Sequence, residues 1–318
     1  MTLPSTTEEI PLKNQTNMTN VTFFIAQISI VVSIFGIFGN SLVIYLLSFK
    51  IKRNSSTVYI MNLALADLMF LLILSTVNIV SVTLGVRLPL NLDYEDSTYV
   101  DIILSLAVTC LFGYNASLSL LSAISVERCL CVLFPVWYRC SRPRHQSSAV
   151  CIIIWIISCL LTIVEFYFCY LSEYYRYYTQ LNSFVIECKV VFMIIWCLSF
   201  IVFIPLMIVS SFVLLIKIWT TSLKKQPPKL YIVITVTVIF FIVFGMPMRI
   251  LLLIWYKKHS FPPFPSMDIL SLFSCINSSI NPFVYFLVGR QGTKSGKFNL
   301  IDILQAVFRA QEPTQQLA

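Results

Sequence analysis

The stretch TFFIAQISIVVSIFGIFGNSLVIYLLSF, residues 22–49, runs 28 residues without an acid or a base and ends against KIKR. About 20 apolar residues in helical form cross a bilayer, and hydrocarbon leaves no partner for a free backbone N–H or C=O. Only helices and closed barrels satisfy that condition. A barrel strand alternates apolar and polar residues, whereas this run is apolar all round, so it is a helix. Six further runs share the character, at 57–84, 98–131, 147–171, 186–218, 229–257 and 266–289. The composition agrees: 58% of the 318 residues are apolar and 11% are charged, against about 25% charged in an ordinary soluble domain. The expectation is an all-α membrane protein, a seven-transmembrane helix bundle with no linker or repeat dividing it.

Basic residues orient the bundle. With the N-terminus outside, fifteen of the 22 Lys and Arg fall on the cytoplasmic side, from Lys50, Lys52 and Arg53 through Arg142 to Lys297 and Arg309. The net charge of +8 then faces anionic inner-leaflet lipid and needs no nucleic-acid partner. Residues 1–21 are polar and carry glycosylation sequons at Asn14, Asn17 and Asn20, which makes them an outer, glycosylated tail. No basic segment precedes a short apolar core, so no cleavable signal peptide is expected and the first span acts as its own insertion signal. Residues 22–290 form the spanning domain, and 291–318 a cytoplasmic tail with a short amphipathic helix.

Charged and polar residues inside the spans are costly and mark function, unless they snorkel or are merely tolerated. Glu127 and Arg128 end the third span. Arg128 is either one more snorkelling base or a working charge. Asp67 lies mid-span in the second run. Pro205, Pro247 and Pro282 interrupt later spans, as static kinks or as hinges.

Several motifs stand together: GNSLV with Asn40, LALADL with Asp67, ERC with Arg128, Trp155, Pro205, Pro247, and NPFVY with Asn281, Pro282 and Tyr285. In this order the chain resembles the rhodopsin-like G-protein-coupled receptors over roughly residues 22–305. FGYNASLSLLSAISVERC, FIPLMIVSS, KLYIVI and FGMPMR resemble the Mas-related receptors, which also have ERC and commonly place Gly, here Gly245, where others have Trp.

The resemblance implies a plasma-membrane receptor, not an enzyme. It would bind an extracellular ligand and activate a heterotrimeric G protein, of Gq or Gi type, with arrestin as a further partner. Its switch would comprise Glu127, Arg128, Cys129, Asn281, Pro282, Tyr285, Pro205, Pro247 and Gly245, with Glu127 holding Arg128 at rest. The segment KKQPPKLYIVI at the foot of the sixth span carries no acid to lock that arginine, so modest basal activity is expected. A sodium ion is implied among Asp67, Ser117, Asn277 and Asn281, with Asn40 in the same polar network; no other cofactor is expected.

The bridge that most such receptors make from the outer end of the third span lacks its cysteine: Ile103 stands 25 residues before Arg128. Cys110 lies too deep. Cys169 and Cys188 sit on the oxidising outer side, and a Cys169–Cys188 disulfide is similar to the Mas-related pattern. Glu165, in TIVEFYFC, is either a snorkelling or paired acid, or the counter-ion of a cationic ligand such as a basic peptide or amine. Tyr170 and Tyr174 belong to a tyrosine-rich loop that is either a ligand platform or an interfacial aromatic belt.

Other classes fare worse. The spans show neither the paired broken helices of a transporter nor long polar stripes. Residues 266–289 hold no lysine for a Schiff base. The only histidines, His145 and His259, fall on opposite faces of the membrane. A receptor with mainly constitutive or modulatory signalling is the alternative reading.

Overall fold

The computed structural model describes residues 12–84, 97–143, 145–167, 190–191, 193–195, 197–222, 229–248, 250–251, 264–290 and 300–308. Among them, long helices follow one another with no strand. They are α1 (Leu12–Phe49), α2 (Ser55–Leu84), α3 (Ser97–Leu133), a short α4 (Pro135–Cys140), α5 (Gln146–Glu165), α6 (Ile204–Ser222), α7 (Lys229–Phe240), α8 (Phe264–Arg290) and α9 (Leu300–Phe308). Five of these helices are long and apolar enough to cross a membrane, and two shorter apolar stretches, Ile201–Ile216 and Ile232–Met248, complete the seven spans expected.

The bundle is ordered by neighbour contacts. α1 packs on α2 and α8, α2 on α3, and α3 at the centre meets α2, α5, α6 and α7. On α5 burial is inverted relative to a helix of a soluble protein. The buried row is Ser147, Cys151, Ile154, Ser158, Thr162 and Glu165, while Ile152, Ile153, Ile156 and Ile157 are exposed. Lipid covers the apolar face, so the inward face is free to carry polar groups that bond across helices. Thr162 and Asn115 do so: the Asn115 amide donates to Thr162 Oγ1 at 3.1 Å. Trp155 Nε1 likewise donates to Asn62 Oδ1 at 2.8 Å, pinning α5 to α2.

Three local features depart from straight apolar helices. α1 begins at Leu12, ten residues before its apolar run, because a helix once nucleated extends into water at little cost. Asn14 and Asn17 therefore lie in its first turns, and Asn20 is exposed. π-helical turns occupy Leu198–Phe203 and Phe241–Gly245, directly before Pro205 and Pro247. Proline has no N–H and its ring strikes the carbonyl four residues back; the wider π turn relieves both. Pro282 instead sits inside the continuous α8. After α8, the amphipathic α9 buries Ile303, Leu304 and Val307 against α8 and α7.

Candidate functional site

At the cytoplasmic end, α3 brings Glu127 and Arg128 inside the protein. Arg128 is 1% exposed, and its Nη2 donates to Ser56 Oγ on α2. Its Nε and Nη1 have no hydrogen-bond partner among the described residues. The expected pair with Glu127 is not what the structure shows. Glu127 faces Arg142, whose Nη1 lies 2.7 Å from its Oε1; the approach is off the hydrogen-bonding direction, so the contact is Coulombic. The Tyr138 hydroxyl donates to the same Oε1 at 2.8 Å. The reason is geometric: successive residues on a helix point in different directions, whereas Tyr138 from α4 and Arg142 from just beyond it both reach the carboxylate.

Arg142 is itself held. Its Nη2 donates to Ser147 Oγ at 2.6 Å and its Nε to Gln146 Oε1 at 3.2 Å, and its guanidinium stacks 4.4 Å from the Tyr138 ring centre. Burial pushes the Tyr138 hydroxyl up to about 12, so it stays a donor at any physiological pH. Cys129 is half-buried and a free thiol. Around the cluster, Leu133, Phe134 and Trp137 are exposed, and Val136 is 74% exposed. Clustered exposed apolar side chains belong to protein- or membrane-contact surfaces. Sequence reasoning missed this patch; the signal was the run LCVLFPVW immediately after ERC.

The foot of the sixth span carries a base, Lys229. Lys229 donates its ammonium to the Gly289 carbonyl at 2.7 Å, at the negative end of α8, where cations are favoured.

In the middle of the bundle Asp67 is fully buried. Its Oδ1 accepts from the Ser117 hydroxyl at 2.5 Å and its Oδ2 from the Asn281 amide at 2.7 Å, joining α2, α3 and α8 beside Pro282. Asn40 donates to the carbonyls of Gly36 and Ser278 at 3.0 and 3.1 Å. Asn277, one turn before Asn281, is buried with its amide beside Gly245. Tyr285 is buried below. Of the four expected sodium ligands, the structure thus gathers Asp67, Ser117 and Asn281 and leaves Asn277 a turn away. Asn281 presents nitrogen, so Asp67 and Ser117 supply the oxygens.

Above this network, the Tyr114 hydroxyl donates to the Gly245 carbonyl at 2.8 Å, tying α3 to the π turn. A Cβ on Gly245 would stand 2.9 Å from the Phe241 ring, so the glycine makes room for that ring. A cavity of about 80 Å³ opens over Tyr114, lined by Phe70, Leu74, Cys110, Met248 and Ser274.

At the outer end of α5, Glu165 is wholly buried, on the inward face it shares with Ser158 and Thr162. It does not snorkel to the headgroups. Tyr170, Tyr174, Cys169 and Cys188, and with them the expected disulfide, lie outside the described residues.

The profile of the "7 transmembrane receptor (rhodopsin family)" matches residues 39–285. The chain is 42% identical over 288 residues to the "Proto-oncogene Mas" of Rattus norvegicus, covering 90% of this chain and 84% of that protein. Its human counterpart is 42% identical over 284 residues, 88% and 82% of the two chains. "Mas-related G-protein coupled receptor member H" of Rattus norvegicus is 39% identical over 308 residues, 96% and 89% of the two. A buried arginine at the inner end of a seven-span bundle and these likenesses over nearly the full chain agree: the protein belongs to the rhodopsin family of seven-transmembrane receptors, in its Mas and Mas-related branch, and is a multi-pass plasma-membrane receptor rather than an enzyme.

Proposed function

We propose that the extracellular ligand is cationic, a basic peptide or amine, and that Glu165 is its counter-ion. The observation that carries this is the complete burial of Glu165 at the outer end of α5. An acid on the inward face at the outer mouth of the bundle, turned away from the headgroups, places a negative charge where an entering cation would meet it. Glu165→Gln keeps the shape and removes the charge. It should right-shift the response to a basic agonist by roughly 10- to 150-fold, the equivalent of one charge-assisted contact of about 1.5–3 kcal/mol, with basal activity unchanged. A basic-peptide panel read through calcium release tests it; unchanged potency would move the ligand site to Asp93, Glu95, Asp96 and the loop tyrosines.

The cytoplasmic face is proposed to dock a Gq- or Gi-type protein and arrestin through Phe134, Val136 and Trp137. The absence of an acid at the foot of α7, among its described residues, favours some signalling without ligand, since no charge pair between α3 and α7 holds the bundle closed.

Asp67 is proposed to take a sodium ion. A fully buried carboxylate whose donors, the Ser117 hydroxyl and the Asn281 amide, are neutral is stabilised by a proton or a cation. Purified receptor should melt several degrees higher in sodium chloride than in choline chloride, and Asp67→Asn should erase the difference. Equal melting of the native protein in both salts would rule out the ion.

A further inference from the structure

We infer that Arg142 is a positioning residue of the switch: it occupies Glu127 and thereby leaves Arg128 available to the G protein. Four observations meet here. Glu127 and Arg142 have side chains only 8% and 7% exposed, in contact at 2.7 Å. Tyr138 donates to the same carboxylate oxygen and stacks under the Arg142 guanidinium. Ser147 and Gln146, at the start of α5, fix the other side of that guanidinium. Arg128 is turned toward Ser56 on α2, and two of its three guanidinium nitrogens have no partner among the described residues.

A buried carboxylate cannot stay without a cation at low cost. If Arg142 is withdrawn, Arg128, the next residue on α3, has unused donors to offer among the described residues. The backbone step between them makes that pair less direct than the present one, but far better than none. Arg142 therefore decides which of two arginines Glu127 holds. In the native arrangement the loop arginine takes the acid, and the helix arginine is left under-satisfied, ready for a new acceptor. The choice also couples α4 to the switch, because Tyr138 follows the exposed Phe134, Val136 and Trp137 and grips the same oxygen. Docking a protein on that patch pulls on the clamp directly.

The inference rests on the G-protein reading of the cytoplasmic face, so its test has one arm that uses a G protein and one that does not. In the first, basal nucleotide exchange on purified Gi and Gq heterotrimers is measured with receptor variants at equal amounts. Arg142→Gln should lower exchange by about fivefold, and Arg142→Lys should retain most of it. Glu127→Gln should match or exceed the native level. The double variant Glu127→Gln/Arg142→Gln should equal Glu127→Gln, because no acid remains to capture Arg128. Were Arg142 only a brace for the loop, the double variant would be as low as Arg142→Gln, and the inference would be overturned.

The second arm is a double-mutant cycle on thermal unfolding of the receptor in detergent. Coupling between positions 127 and 128 should be near zero in the native background and clearly favourable in the Arg142→Gln background. Equal coupling in both backgrounds overturns the inference whatever the G-protein assay gives. If Arg142→Gln is too unstable to purify, the comparison of Glu127→Gln with the double variant decides alone: equal exchange supports the assignment and lower exchange in the double variant overturns it.

Discussion

Arg128→Ala is expected to reduce agonist-stimulated and basal G-protein activation to background, a fall of at least about tenfold for the loss of one charge-assisted contact, while the amount of receptor at the cell surface stays level or rises. The second half of that statement follows from the structure. Most buried charges earn their place by being fully paired, and deleting them leaves a partner stranded. Arg128 is 1% exposed, yet only Ser56 bonds to it among the described residues. Removing it takes away one contact to Ser56 and relieves an under-satisfied cation. Loss of signalling without loss of protein is the signature of a group kept for function. Nucleotide exchange normalised to surface labelling measures both; normal exchange from the variant at equal surface level would remove Arg128 from the switch.

Gly36→Val is expected to abolish surface expression. A Cβ at Gly36 would overlap Ser279 Oγ on α8, and would stand 2.6 Å from Leu71 Cδ1 on α2 and 2.8 Å from Ser279 Cβ. Three helices meet at that hydrogen atom. Overpacking a dense interior costs about 1–3 kcal/mol or more, and a branched side chain at this point forces α1 off both neighbours. Membrane helices associate through such close approaches rather than through the hydrophobic effect. Gly39, whose Cβ would meet Pro282 Cβ at 3.0 Å, should tolerate Ala with a smaller loss. The contact itself is tested by rescue: Gly36→Ala should lower expression, and Ser279→Gly added to it should restore much of the loss. A double variant as poor as Gly36→Ala would place the defect elsewhere.

The spans were readable in the sequence because each is a long uninterrupted apolar run, and lipid solvation acts on composition alone. Their ends were less so: α1 runs on through the sequons to Leu12, since water neither forbids nor demands helix there. The π turns before Pro205 and Pro247 could not be read, because proline announces a lost hydrogen bond without saying how the backbone absorbs it. Asp67, Ser117 and Asn281 were readable as a group through the family resemblance, and they do converge. The partner of Glu127 was not. Its adjacency to Arg128 was visible, but Arg142 lies fifteen residues on, and only the fold of the intervening loop returns it to the same carboxylate.

Gly289 is a single residue at which three elements touch. Its carbonyl receives Lys229 from the first residue of α7, and a Cβ on it would run into the Ile303 carbonyl of α9. α9 lies along the inner edge of the bundle with Ile303, Leu304 and Val307 buried and Asp302 exposed. In mechanical terms the glycine is a pin joint: α9 seats against one side of it and α7 is tethered to the other. A sideways displacement of α9 is therefore delivered to the base of α7 without passing through the bundle interior, through the ammonium on the Gly289 carbonyl and the direct packing of α9 on α7.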